Sequence, residues 1–582
     1  MYRPVLDAVG GSLFLTAVLA MLPLLTLFIL LGVLKMTAWK AALASLAVSL
    51  VVAIFAYGMP AGQALMASTE GAAFGFFPIL FIVINAIWIY NMTVVTGHFD
   101  VLRRSFAKVS DDQRIQAVII AFCFGGLLEA LAGFGTPVAI TSVMLLALGI
   151  KPIKAAVVAL VANTAPVAFG ALAVPITTLA KVSGLPEHTL SQIVGRQTPL
   201  LALFVPMALV FIIDGWRGVR VTLPATLTVG FTFAIAQFVT SNFVSTQLTD
   251  IVASLVAAAS VMLLLRVWRP AGSYVEAPEV GADAIVVGAS HGSRVGSAPG
   301  RSGGVDTAAV GSSGYPIGQA TGTAAELAAR DRNIHDSPSE VFKAYAPYLV
   351  IIVVFSLSQI PFIRDALASP TVAFQWPGLD LQSASGKPST IPTFKLNWLA
   401  SGGSLLVIAG LITIPFLGIA PAKALKAYLA TYVQLKFAIV TVMAVLGLAY
   451  VMNASGQTST LGLWMAGAGA AFAILSPILG WIGVAVTGSD TSSNSLFGAL
   501  QVSAANKAGL SPALMAAANS SGGVLGKMVS PQNLAIAAAA VGLSGKEGDI
   551  FRKVIAWSLG FLFFMCVIVY LQSTPVLSWM LP

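Results

Sequence analysis

Charge is scarce in this chain. Asp, Glu, Lys and Arg make up 9% of its 582 residues, against roughly 25% in soluble globular proteins. A water-facing surface cannot be built from so few charges, so a soluble globule is excluded. Cysteine is nearly missing. Cys123 and Cys566 lie far apart in apolar runs and neither sits in a CxxC pair, which removes disulfide frameworks and zinc sites. The four histidines, His98, His188, His291 and His335, all fall outside the apolar runs, so a histidine proton relay has no support. There is no HExxH, no GxSxG and no Cys/His cluster. The nearest approach to a P-loop, Gly522–Lys527, has three intervening residues instead of four and is followed by Met528. A membrane-embedded enzyme and ATP-driven transport lose their support with these motifs. A short signal-peptide pattern is also missing at the start. The first apolar run, 13–34, is too long for one and is expected to stay. Ten-residue alternating blocks of the outer-membrane barrel type are absent.

Hydrophobicity fills the space that charge leaves. Apolar residues make up 57% of the chain, and mean hydropathy is +0.90. They fall into fourteen runs, from 13–34 to 552–572, of about the 20 residues that cross a bilayer's hydrocarbon. Two further segments, 133–150 and 488–510, are poorer in large apolar residues and richer in Gly, Ser, Thr and Asn. The expected fold is an all-α polytopic membrane protein with about 12–14 transmembrane helices and two repeat-related broken or re-entrant segments.

The net charge of +9 does not point to nucleic acid. The Lys and Arg residues sit between apolar runs, the pattern of cytoplasmic loops. Arg103, Arg104, Lys108 and Arg114 place 97–114 in the cytoplasm, and Lys35 and Lys40 agree. Loop 59–69 has neither Lys nor Arg and is expected outside, as is the N-terminus. The basic stretches 214–220, 266–269 and 543–553 also read as cytoplasmic, and helix parity does not satisfy all of these together. Residues 270–342 are rich in Gly and Ser and read as a flexible linker. They divide the chain into an N-terminal membrane half, 1–269, and a C-terminal half, 343–582. A shorter polar loop, 362–396, is expected outside.

The halves share a pattern. Asn163, Gly170 and Pro175 have the spacing of Asn519, Gly526 and Pro531, and a small-polar segment, Gly133–Pro137 or Gly488–Ser492, precedes each set. Repeat segments of 129–176 and 487–533 follow. Paired broken segments in corresponding halves mark a transporter's binding site. Backbone that leaves the helix inside a membrane must be satisfied by protein or by a wet cavity. Helix N-termini exposed there offer N–H groups and positive dipole ends to an anion. Close helix packing by small residues is the bland alternative.

Of the 22 acidic residues, nearly all fall in loops or near the ends of runs. Glu129 and Asp490 are the clear exceptions, with Glu70 borderline. Buried carboxyls are functional candidates in a membrane, and withdrawal from water favours the protonated form, which suits a proton carrier. A helix cap for Asp490 and a structural hydrogen bond for Glu129 are the alternatives. Lys527 is placed to pair with a substrate carboxylate or with Asp490, or else to snorkel, as Lys436 is expected to do. Arg196 reads as an anion-attracting group at an entrance or as a helix-end anchor. Substrate binding is assigned to Gly133, Gly135, Thr136, Asn163, Ser489, Thr491, Ser492, Asn519 and Lys527, and proton coupling to Asp490 and Glu129. No metal or cofactor is expected.

The stretches AGFGTPVAI (132–140), VANTAPVAFGALAVPI (161–176), VGRQTP (194–199), DGWRG (214–218), TGSDTSSNSLFGALQ (487–501) and SGGVLGKMVSPQNLAIA (521–537) resemble the lactate permease family, in order and across most of the chain. The resemblance implies proton symport of L-lactate, glycolate and related 2-hydroxymonocarboxylates across a bacterial cytoplasmic membrane. It departs from the family pattern at Ala130 and Leu131, which follow Glu129 and add bulk beside the expected site, and in a long linker. A carrier saturates and shows counterflow of preloaded substrate, whereas a channel does not.

Overall fold

The computed structural model describes all residues except 35, 108, 132, 134, 273, 275–335, 359, 383–388, 390 and 544–545. Most of the linker 270–342, with His291 and His335, thus lies outside the described residues, as do Lys35 and Lys108. Among those described, ten helices are long and apolar enough to cross a membrane, and one bent pair, Pro152–Ala162 with Val167–Ser183, adds an eleventh across a 63° break. The runs seen in the sequence outnumber these because several merge. The stretches 198–213 and 221–241 both enter one helical run, Glu187–Val244, which Gly215 kinks. Others form shorter apolar helices, such as Gly402–Leu417. The chain is an all-α, multi-pass membrane protein, with one small antiparallel strand pair among the described residues, Val372–Gln375 with Thr393–Leu396.

Its outside is apolar and its inside holds the polar groups. Phe55 is 82% exposed and Phe563 72%, which only lipid tolerates, while Glu129, Asp490, Asn494, Asn519 and Lys527 are buried. Small residues let the inner helices approach. Helix Phe472–Thr487 lies against Pro512–Gly526 with Gly480 on the Asn519 backbone, Gly522 on Pro477 and Gly526 on the Trp481 carbonyl. No side chain fits at those contacts, the usual way membrane helices gain packing when lipid supplies no hydrophobic drive between them.

The loops expected in the cytoplasm are tied together. Arg114 holds Asp112 at 2.6 Å and Asp214 at 2.9 Å, donates to the Gly272 carbonyl at 3.1 Å and faces the Tyr274 ring at 5.3 Å. Arg104 grips Asp336 through two bonds of 2.9 and 2.5 Å. The segments expected outside also meet. The N-terminal amine pairs with Asp380 at 3.1 Å, and Trp376 donates to Thr69 at 3.1 Å.

The two polar segments are mostly helix. Residues 136–147 and 490–508 form the helices Thr136–Ala147 and Asp490–Ala508, so the breaks are a few residues long. Their glycines explain them: Gly133, Gly135 and Gly488 all have positive φ, where a side chain costs energy. Corresponding helix starts in the two halves lie at a different spacing from the matched Asn residues. Pro152 and Pro512, which open corresponding helices, stand 360 residues apart, as do Val167 and Lys527, which open the 3-10 turns that follow. Asn163 and Asn519 are 356 apart, about one helical turn out of step. Asn163 therefore caps its helix while Asn519 sits inside one.

Candidate functional site

Four backbone breaks converge. In the N-terminal half, the helix carrying Glu129, Gly125–Leu131, stops before Gly133 and the chain restarts at Thr136 with Pro137 in its first turn. Helix Pro152–Ala162 stops at Asn163, passes through the 3-10 turn Val167–Phe169 and restarts at Gly170. Ala171, Leu172 and Ala173 then take left-handed angles, with φ of 45°, 55° and 59°. In the C-terminal half, Gly488 closes helix Phe472–Thr487, its N–H bonding the Val484 carbonyl at 2.7 Å. Ser489 caps the next helix, accepting from the Ser492 N–H at 3.3 Å. The last break follows Gly526, where Lys527–Val529 form a 3-10 turn and Ser530 caps Pro531–Ala540.

Between the breaks lies a narrow cleft with about 40 Å³ of space. Its polar lining is Glu129, Ser489, Asp490, Thr491 and Lys527, and its apolar lining is Val167, Val174, Pro175 and the small residues Gly133, Gly170, Ala171 and Gly488. Both halves contribute.

A buried ion pair joins the halves across this cleft. Lys527 Nζ donates to Glu129 Oε1 at 2.6 Å, and both side chains are under 10% exposed. Asn163 Nδ2 donates to Glu129 Oε2 at 3.0 Å, so both carboxylate oxygens have partners. Gly170 makes room for the pair: a methyl group there would stand 2.7 Å from Glu129 Oε1. The sequence offers Asp490 as the protein partner of Lys527, but the ion pair forms with Glu129 instead.

Asp490 is held differently. Its Oδ2 accepts from Ser520 at 2.6 Å and from Asn494 at 3.3 Å, while its Oδ1 is buried without a partner. Gly523 leaves space beside that oxygen. Asn494 also donates to the Pro175 carbonyl at 3.1 Å, a second tie between the halves. The cap read for this position belongs to Ser489, and Asp490 occupies the first turn after it, where a negative charge meets the positive end of the helix.

The other expected site residues lie around the cleft. Asn163 stands behind Glu129. Asn519 is fully buried, donating to Asn494 at 2.9 Å and accepting from Gln501 at 3.1 Å, so it braces the Asp490 support from inside a helix. Gly135 packs against Asn533 and Ile536. Thr136 and Ser492 lie outside the lining. Arg196 is committed elsewhere, to Asn242 and the Met580 carbonyl, both at 2.8 Å, which makes it an anchor. Lys436 lies over the Phe437 ring at 5.0 Å. Glu70 is buried outside the cleft. Sequence reading missed Ser520, whose only signal is its place beside Asn519, and the apolar wall of Val167, Val174 and Pro175.

The geometry offers one cation, two carboxyls, a helix N-terminus, two hydroxyls and an apolar wall in a cleft between two halves. A family model for L-lactate permease matches residues 16–297 and 316–576. The L-lactate permease of Bacillus subtilis is 38% identical, over 99% of this chain and 98% of that protein. The glycolate permease GlcA of Escherichia coli is 40% identical, over 98% and 97%. The L-lactate permease of Escherichia coli is 38% identical, over 98% of each.

Proposed function

Since the chain belongs to the L-lactate permease family, and is therefore a transporter and not an enzyme, we propose that it imports L-lactate, glycolate or a related 2-hydroxymonocarboxylate by proton symport across a bacterial cytoplasmic membrane. The observation that carries this reading is the buried Lys527–Glu129 pair, 2.6 Å long, set in the cleft and shared by the two halves.

Lys527 is the one cation lining the cleft among the described residues, and Glu129 already holds it. An incoming carboxylate has to compete with Glu129 for it. Protonating Glu129 ends that competition, since a neutral carboxyl no longer balances the ammonium. The ammonium then needs another anion, because a buried charge left unpaired costs roughly 3–5 kcal/mol. Proton and substrate thus favour each other's binding, which is the coupling a symporter needs. Asp490, with one oxygen unpartnered, is a second place for a proton beside the anion. Ser489 and Thr491 present hydroxyls that donate and accept to a 2-hydroxyl group, and the N-terminus of helix Asp490–Ala508 adds N–H donors for the carboxylate. Val167, Val174 and Pro175 face the substrate's alkyl end.

Uptake of labelled L-lactate into vesicles holding the purified protein tests this. Accumulation should follow an imposed pH gradient, inside alkaline, and preloaded lactate should drive counterflow. Uptake that follows a sodium gradient and ignores pH would remove proton coupling. Asp490→Asn should lower accumulation; an unchanged gradient would take Asp490 out of the coupling.

A further inference from the structure

Asp250 is a buried carboxyl that the cleft chemistry leaves unused. From the sequence it belongs to the end of an apolar run, at the start of helix Thr249–Val267. In the fold it is 0% exposed. Its Oδ1 accepts from Gln237 Nε2 at 2.9 Å, and its Oδ2 is buried with no partner. Among the described residues no basic side chain forms an ion pair with it. A carboxylate oxygen withdrawn from water and given no donor is costly, and a proton on it removes the cost.

Its surroundings lead toward the cleft. Helix Thr249–Val267 packs on the helix that carries Glu129, where Ser254, one turn on from Asp250, abuts Gly126. The Glu129 carboxyl, on that neighbouring helix, interacts electrostatically with Asp250. On the long helix that supplies Gln237, Arg220 and the charges before it stand at least 17 residues away, about 25 Å along the axis. Lys181, on helix Gly170–Ser183, interacts with Glu187. Gln237 Nε2 also reaches the Ala165 carbonyl, at 3.4 Å, in the break that follows Asn163. Asn163 bonds Glu129 through its Nδ2 and leaves its own buried Oδ1 unpartnered. Asp250 Oδ2 and Asn163 Oδ1 are thus both buried without a partner, on residues bonded to the same break through Gln237–Ala165 and to Glu129 through Asn163 Nδ2.

We propose that Asp250 is a second proton-carrying carboxyl of the transport cycle, which passes its proton to Glu129 by way of water admitted at the break Asn163–Ala165, beside Gln237. This rests on the proton-symport reading of the cleft. In the step, the O–H bond on Asp250 breaks, the proton ends on the Glu129 carboxylate and Asp250 is left ionised. No electrons change hands. Glu129, once neutral, releases Lys527 to the substrate carboxylate, so Asp250 acts on the substrate only through Glu129.

The experiment uses the full chain in vesicles with labelled L-lactate. Wild-type protein that ignores a pH gradient would defeat the symport reading itself, whatever Asp250 does. With that control positive, Asp250→Asn should lose roughly tenfold or more of its pH-driven accumulation while counterflow, which needs no net proton movement, stays within about twofold. Accumulation equal to wild type would make Asp250 a permanently neutral structural group and overturn the proposal. So would a parallel loss of both modes in well-folded protein. If that variant fails to fold, Gln237→Leu keeps Asp250 and removes its donor. The midpoint of the pH dependence of uptake should then move with the KM for lactate unchanged, and an unmoved midpoint overturns the proposal.

Discussion

The two halves meet at the same cleft with the same order of helix, break, helix and 3-10 turn, and both use positive-φ glycines at the first break, yet they make the second break by different means. The C-terminal repeat uses low-energy devices. Gly488 takes the positive φ, Ser489 and Ser530 cap the helices that follow, and Pro531 opens the last one. The N-terminal repeat turns through Ala171, Leu172 and Ala173 in the left-handed region, at about 1–2 kcal/mol for each such residue. The charges divide as unevenly. The C-terminal half supplies Lys527 and the Asp490 carboxyl after its first break, whereas the N-terminal half supplies Glu129 before its own. A duplicated scaffold has thus been given one relaxed side that holds the cation and one strained side that holds its counter-ion. Strain kept at a ligand cleft is typical of elements that change conformation in function.

Breaking the charge division should have the largest effect. Lys527→Met leaves Glu129 buried without its partner. Transport should fall by 100-fold or so, and stability by about 3–5 kcal/mol, read as uptake and as a thermal melt in detergent. Adding Glu129→Gln to that variant should recover most of the stability and none of the transport. Recovery of transport would show that the pair is only structural.

The repeat glycines sharpen the comparison at an intermediate level. Gly170→Ala pushes a methyl group against Glu129 and should cut uptake by about tenfold, with a modest loss of stability. Gly526→Ala instead meets the Trp481 carbonyl and should act mainly on stability, by about 1–3 kcal/mol through overpacking. Uptake and melting measured on both variants should rank them in opposite orders. The smallest effects are expected from the breaks themselves. Ala173→Gly should stabilise by about 0.5 kcal/mol, since relief of the left-handed penalty outweighs the added freedom of the unfolded chain. Ser530→Ala should cost about 1 kcal/mol by removing a helix cap. Equal signs for the two would erase the contrast between strained and relaxed repeats.

The sequence made the membrane class and the polar breaks legible, because hydropathy and glycine placement are local signals. Glu129, Asp490 and Lys527 stood out because charge is rare in apolar runs, and they line one cleft. The Glu129–Lys527 pair was not legible, since it spans 398 positions and depends on how the halves dock. The repeat register was misleading. The matched Asn, Gly and Pro residues lie a turn out of step with the matched helix starts, so Asn519 became a brace instead of a lining residue. The left-handed turn at 171–173 leaves no trace in composition, for it contains neither Gly nor Asn. Asp250 looked like an ordinary acidic residue in a first helical turn, a place where acidic side chains are welcome, and only packing reveals it as buried.

Arg104 and Arg114 carry one more consequence. Arg114 anchors the chain at Gly272 and Tyr274, and Arg104 anchors it at Asp336, so both edges of the intervening stretch are moored to the same short loop. Cutting the chain within 275–335 would leave these contacts in place. Two separately translated polypeptides, one ending at Tyr274 and the other beginning at Asp336, should find each other in the membrane and assemble into a working carrier.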